Sequence, residues 1–199
     1  MKIPESIKKF VDAFASLPGI GPRQAIRLAF YFIHQGKGFN EKIVRAVSSL
    51  DQLKPCSQCF YVHQNKGPNC EICDNPKRTP AIIAVVEKET DLISIENTGS
   101  FFGHYLVLGD LKKTGVLDVG QKLRINNLKE RIKKTGNKAQ EIIIAVNPTT
   151  YGDLNAEIIA KELAPFADKI SRLGRGIPTG GEIEFADSET LSAAIKRRG

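Results

Sequence analysis

The four cysteines of the chain fall as Cys56-Ser-Gln-Cys59, then ten residues, then Cys70-Glu-Ile-Cys73. Two CxxC knuckles let paired thiolates converge on one tetrahedral Zn(II), and the intervening loop is long enough to bring the pairs together. No cysteine is left over. Disulfides do not suit a cytosolic chain, and a redox CxxC does not explain a second copy. A closed four-cysteine site keeps no open coordination position, so the expectation is one structural zinc ion per chain and no zinc catalysis. Beyond Phe60, Tyr61 and Val62 the loop holds little apolar material, so metal binding must supply much of its folding energy. His63, in the same loop, is expected at the surface rather than as a ligand.

A second constellation is "LPGIGPRQAIRLAFYF". Gly19 and Gly21 flank Ile20 between two helical patterns. Glycines permit a tight turn and a close approach of backbone N–H groups to phosphate, and the helix that follows favours anions at its start. Arg23 and Arg27, four apart, share one flank of that helix and add phosphate contacts. A helical hairpin with ordinary surface arginines is the plainer alternative. The combination of glycine turn, arginines and local charge favours DNA binding that reads backbone rather than bases.

The third is "EIIIAVNPTTYGD", residues 141–153, an apolar run ending abruptly at a turn. Ligands of open α/β sheets sit beyond the carboxyl ends of strands, where such a turn lies. Two-metal phosphoryl transfer needs several convergent carboxylates. Glu87 ends one strand pattern and Asp110 follows another, but Asn147 and Thr149 supply no anion and only Asp153 remains. Catalysis with Mg(II) through Glu87, Asp110 and Asp153 is the rival reading; the expectation is that the protein is not an enzyme. "GRGIPTGG" lacks the Gly-Lys-Ser/Thr of a nucleotide loop.

These sites need elements to hold them. Ile7, Phe10, Val11 and Phe14 mark an amphipathic helix over 3–15. A second begins at Pro22, with Ala25, Ile26, Ala29, Phe30 and Ile33 on one face. "HQGKGFN" reads as a loop and 41–53 as a third helix. From residue 81, "AIIAVV", "HYLVL" and "EIIIAV" read as strands buried on both faces, alternating with helices at 121–134 and 152–164; this implies a parallel sheet. A strand near "KISRL", another at "EIEFA" and a short helix at 188–197 complete the chain.

Composition agrees with a globular protein: 199 residues, 41% hydrophobic and 26% charged. That is enough for one medium domain or two small ones. No run of eighteen apolar residues and no signal-peptide pattern occurs, so the cytoplasm is the expected compartment. Net charge is +7, and residues 1–55 hold nine Lys and Arg against four Asp and Glu. Most of the excess therefore lies in the first quarter, which favours a polyanionic partner.

Taken in order, these motifs, with "VVEKETDLISIENTG" and "GRGIPTGGEIEFADSETLSAAI", resemble the bacterial RecR family of recombination mediators over about residues 3–198. The resemblance implies an α+β multidomain protein. A helix-hairpin-helix DNA-binding region would occupy 1–55 and a small four-cysteine zinc finger with its linker 56–79. A Toprim α/β domain with a parallel sheet would occupy 80–173, and an oligomerisation segment 174–199. It implies DNA repair and recombination at the nucleoid, acting with RecO and RecF proteins to load RecA at gapped or single-stranded DNA. It also implies homodimers through the amino-terminal hairpins, pairing into a tetrameric ring with Arg23 and Arg27 toward the opening and Glu87 left for RecO.

In type IA topoisomerases the matching turn reads Asp-Pro-Asp-Arg-Glu-Gly-Glu; here both acids of the leading pair are neutral, at Asn147 and Thr149. The usual RecR form is close to Asn-Pro-Thr-Val-Glu-Gly-Glu. Tyr151 therefore stands in place of a Glu, and Asp153 is the shorter acid.

Overall fold

The computed structural model describes residues 3–196, so the last residues of the expected 188–197 helix and 174–199 segment lie outside the described residues. Two compact units are present, Met1–Leu53 and Lys54–Gly199.

The first unit is three helices: α1 (Glu5–Ala15), α2 (Pro22–Gln35) and α3 (Lys37–Ser48), followed by a 3-10 turn at Ser49–Gln52. The loop expected at "HQGKGFN" is absent. Gly36 takes φ +79°, open to glycine without strain, and completes the reversal in one residue. The Asn40 N–H then bonds the Gly36 carbonyl at 3.3 Å, so helix resumes at Lys37. Phe10, Phe14 and Phe32 pack face and edge, with centroids 4.0–5.9 Å apart. Yet among the described residues of this unit only Ile7, Ala25 and Ala29 are buried. Its helices carry more apolar surface than three of them can cover.

The second unit opens with the cysteine segment: β1 (Lys54–Pro55) pairs antiparallel with β2 (Val62–His63), and α4 (Glu71–Asp74) carries the last cysteine. The α/β part follows as β3 (Thr79–Val86), α5 (Glu89–Glu96), β4 (Gly103–Val107), α6 (Val119–Thr135), β5 (Ala139–Ala145), α7 (Thr150–Leu163) and β6 (Ala167–Arg172). The four long strands form one parallel sheet in the order β4-β3-β5-β6.

Residues such as Val85, Leu106, Ile142, Ile125, Leu128 and Ile159 are fully buried between sheet and helices, as parallel sheets covered on both faces require. Helix α6 starts where the Asp118 carboxylate accepts the Gln121 N–H and the Gln121 side chain accepts the Asp118 N–H, both at 2.9 Å. This reciprocal cap fixes its first turn.

Beyond β6 the expected strand at "EIEFA" is a 3-10 turn, Ile183–Phe185. Ile183 and Phe185 are 69% and 80% exposed, so no sheet edge covers them. Helix α8 (Ser188–Lys196) ends the described chain. No helix among the described residues is long and apolar enough to cross a membrane.

Candidate functional site

The four cysteine sulfurs all lie within 4.8 Å of one another and all four residues are buried. Cys59 and Cys70 approach to 3.5 Å, far beyond a disulfide bond and close to the roughly 3.8 Å separation of sulfurs around a tetrahedral Zn(II) with Zn–S bonds of about 2.3 Å. The backbone N–H groups of Gln58 and Cys70 both point at the Cys56 sulfur, at 3.5 and 3.3 Å. Such donors stabilise a thiolate. Hydrogen bonds from Cys59, then from Cys70 and Cys73, push the Cys56 pKa down, while the same crowding drives Cys73 up. Four thiols this close cannot all ionise by themselves, and a divalent cation removes that conflict. The site fits a metal ion.

His63 departs from expectation. It is buried, at 7% exposure, because β2 turns it inward. Its Nδ1 accepts the Asn65 N–H at 3.1 Å, and it stands outside the sulfur cluster.

In the first unit the turn between α1 and α2 positions the predicted DNA-binding residues. Gly19 has φ +78°, a conformation L side chains rarely adopt, whereas Gly21 is extended at φ −86°. A Cβ at either would meet nothing within 4 Å, so the turn is open to a ligand on its outer side. Helix α2 begins with no side-chain cap and with Pro22 in its first turn. Its first N–H groups are thus left to an external acceptor. Arg23 and Arg27 are exposed and enter no ion pair among the described residues.

The third constellation sits between the carboxyl ends of β3 and β5, where the chain turns one way toward β4 and the other way toward β6. This is the topological switch point of the sheet. Glu87 follows β3, and Asn147 follows β5. The Asn147 side-chain amide donates to one Glu87 oxygen at 3.3 Å, and the Leu111 N–H donates to the other at 3.1 Å.

Asp110 is exposed and faces Lys88 at 3.6 Å. Asp153 is bound by Arg172 at 2.7 Å and by Arg175. Burial works to raise the Asp153 pKa, but hydrogen bonds from Arg175 and Arg172 outweigh it and hold the carboxyl below its ordinary value. The three acids therefore form no metal-binding group, and the cysteines are the single such cluster among the described residues. The turn itself is tight. Thr149 caps α7 by accepting the Gly152 N–H at 3.1 Å, and a Cβ at Gly152 would lie 1.9 Å from the Asn147 carbonyl oxygen.

Sequence reasoning missed the arginines. Arg172 lies in the strand at "KISRL" and Arg175 in the loop "GRGIPTGG", and only the fold brings them to Asp153.

A helical hairpin unit joined to a four-cysteine knuckle and a parallel α/β sheet of this order defines a helix-hairpin-helix and Toprim protein. Family models agree: "RecR, helix-hairpin-helix" matches residues 7–49, "Toprim domain" residues 81–174, and "RecR, C-terminal" residues 176–198. The chain is similar to proteins named Recombination protein RecR. The one from Bifidobacterium animalis subsp. lactis is 35% identical over 97% of this chain and 95% of that protein. Those from Dehalococcoides mccartyi and a Synechococcus species are 36% and 37% identical, with 93% and 97% of each covered. This chain belongs to the RecR family.

Proposed function

We propose that the protein is a DNA-binding mediator of recombinational repair that performs no covalent chemistry. The observation that carries this reading is the open glycine turn at Gly19–Gly21 with two exposed arginines on the helix behind it, neither in an ion pair among the described residues. Such a surface meets phosphate through backbone N–H groups and guanidinium groups, and so tolerates any sequence. The relatives' name, Recombination protein RecR, gives the process. The partners in this reading are RecO and RecF proteins, with Glu87 and its turn as the contact face, and the outcome is loading of RecA at gapped or single-stranded DNA.

Absence of catalysis is supported by the occupied acids. Glu87 is bonded to Asn147 and Leu111, and Asp153 to two arginines. Too few free anionic ligands remain for two Mg(II) ions. The knuckle is read as holding one structural zinc ion through Cys56, Cys59, Cys70 and Cys73.

Assembly is part of the proposal. An apolar groove of about 720 Å³ runs along the first unit between Phe10, Phe14, Phe32, Val44 and Val47, and Phe30, Val44 and Val47 are 48%, 64% and 62% exposed. A second copy would cover this surface, and dimers pairing into a ring would multiply phosphate contacts.

The test is a titration of labelled gapped duplex with wild type and with Arg23→Ala/Arg27→Ala across a range of salt. Each arginine should account for about one unit of the salt slope. A double variant binding as tightly as wild type, with the same slope, contradicts the assignment of the hairpin.

A further inference from the structure

Arg124 and Arg131 lie seven residues apart on α6, two turns along the same face, and both reach the cysteine knuckle. The Arg124 guanidinium lies 5.1 Å from the Phe60 ring centroid and donates to the Val107 carbonyl at 2.9 Å. Arg131 donates to the carbonyl of Gln58 at 3.1 Å and to that of Tyr105 at 3.5 Å. Gln58 sits inside the first CxxC, and its own N–H points at the Cys56 sulfur. Arg131 and a ligand sulfur are therefore held at the two ends of one residue. Arg131 also shares the lining of a cavity of about 480 Å³ with Cys73.

A guanidinium half-buried here needs an electrostatic reason. Four thiolates around a divalent ion carry two surplus negative charges, and the sulfurs are removed from water. A buried charge needs a partner. Of the other cations near the knuckle, Lys54 donates to the Lys66 carbonyl and Arg78 is committed to Glu96, whereas Arg131 bonds a carbonyl between two of the cysteines.

We propose that Arg131 is the counter-ion and positioning residue of the four-cysteine metal centre, and that it ties metal occupancy to edge strand β4 of the Toprim sheet. The same guanidinium bonds the knuckle and a β4 carbonyl. The Cys59 carbonyl meanwhile accepts the Val107 N–H at 2.8 Å, so the knuckle closes the open edge of that strand. This inference rests on reading the knuckle as a metal centre.

The experiment uses the full-length, reduced, Zn(II)-loaded protein as wild type, Arg131→Gln, Arg131→Lys and, as a control, Arg124→Gln. Two readouts are followed: Zn(II) affinity by competition with a chromogenic chelator, and hydrogen exchange at residues 103–107. Loss of the charge in Arg131→Gln should weaken Zn(II) binding about 10–100-fold, as for other groups that support metal ligands, and speed exchange in β4. Arg131→Lys keeps the charge but cannot span both carbonyls, so it should retain affinity within a few-fold while β4 still exchanges faster. Arg124 bonds no carbonyl between the ligand cysteines, so Arg124→Gln should weaken affinity far less than Arg131→Gln; an equal loss in both overturns the assignment to Arg131.

If Arg131→Gln does not fold, Arg131→Lys alone decides: wild-type exchange at β4, or a tenfold loss of affinity, overturns the proposal. Wild-type affinity in a folded Arg131→Gln also overturns it. Wild-type protein that takes up no Zn(II) overturns the metal reading itself, a result visible before any variant is compared.

Discussion

At the scale of single residues, the chemistry of the molecule is set by which side chains are already engaged. The Glu87 carboxylate accepts from Asn147 and Leu111, so it organises the turns around it. Arg23 and Arg27 have no such engagement among the described residues and remain available to phosphate. The cysteines are the reverse case: buried, mutually close and without an internal way to share their charge. Replacing Cys59 by Ser should reduce bound zinc from about one ion per chain to well below that. It should also lower the unfolding temperature, because the knuckle has little core of its own. Metal analysis and calorimetry on the same sample check this, and full zinc content with an unchanged transition contradicts it.

At the scale of elements, the turn between β5 and α7 is held in shape by close packing and a side-chain cap. Gly152→Ala places a Cβ against the Asn147 carbonyl at 1.9 Å. Although Ala favours helix, the clash should destabilise the protein by about 1–3 kcal/mol, as overpacking does; denaturant unfolding reads this out. The Asp153 clamp carries a pH signature. Its carboxyl is held below its ordinary value, so its contribution is complete above the unfolded pKa of about 3.9 and is lost as pH falls through the lower folded value. Hydrogen exchange around Arg175 should therefore be faster in Asp153→Asn than in wild type at pH 7, and the difference should shrink once pH falls below about 3.9 and vanish only below the lower folded pKa. A difference that persists in acid rules out the ionised clamp.

Much of this level was legible in the sequence. The strands "AIIAVV" and "EIIIAV" and the helix at α6 announce themselves by runs and periodicity, and the cysteines by spacing. What was not legible depends on conformation or on distance along the chain. Gly36 turns a seven-residue loop into a one-residue reversal through its positive φ. Ile183 and Phe185 alternate like a strand but find no edge to join. Helix α5 is only eight residues long and starts where Asp91 accepts the Lys88 N–H, a signal too short for periodicity to register. The contacts of Arg131 to Gln58 and of Arg175 to Asp153 join segments far apart, and no local pattern encodes them.

At the scale of the whole molecule, the proposed DNA-binding mediator rests on the open glycine turn of the hairpin, the four-cysteine cluster beside edge strand β4 and the engaged acids of the Toprim turn. The uncovered apolar face of the first unit belongs to this scale. Val47→Glu should reduce the mass in light scattering across a concentration series and weaken DNA binding through lost multivalency, while leaving zinc content intact. An unchanged mass would place the self-association surface elsewhere.

The central claim is DNA binding without cleavage, and one assay addresses both halves together. Wild type, Arg23→Ala/Arg27→Ala and Glu87→Ala are incubated with labelled gapped duplex in Mg(II) or Mn(II), and bound fraction and strand length are read from the same samples. The account predicts salt-sensitive binding by wild type, weakened in the arginine double variant, with every strand intact in all samples. Metal-dependent shortening of the strands by wild type that disappears in Glu87→Ala would contradict it.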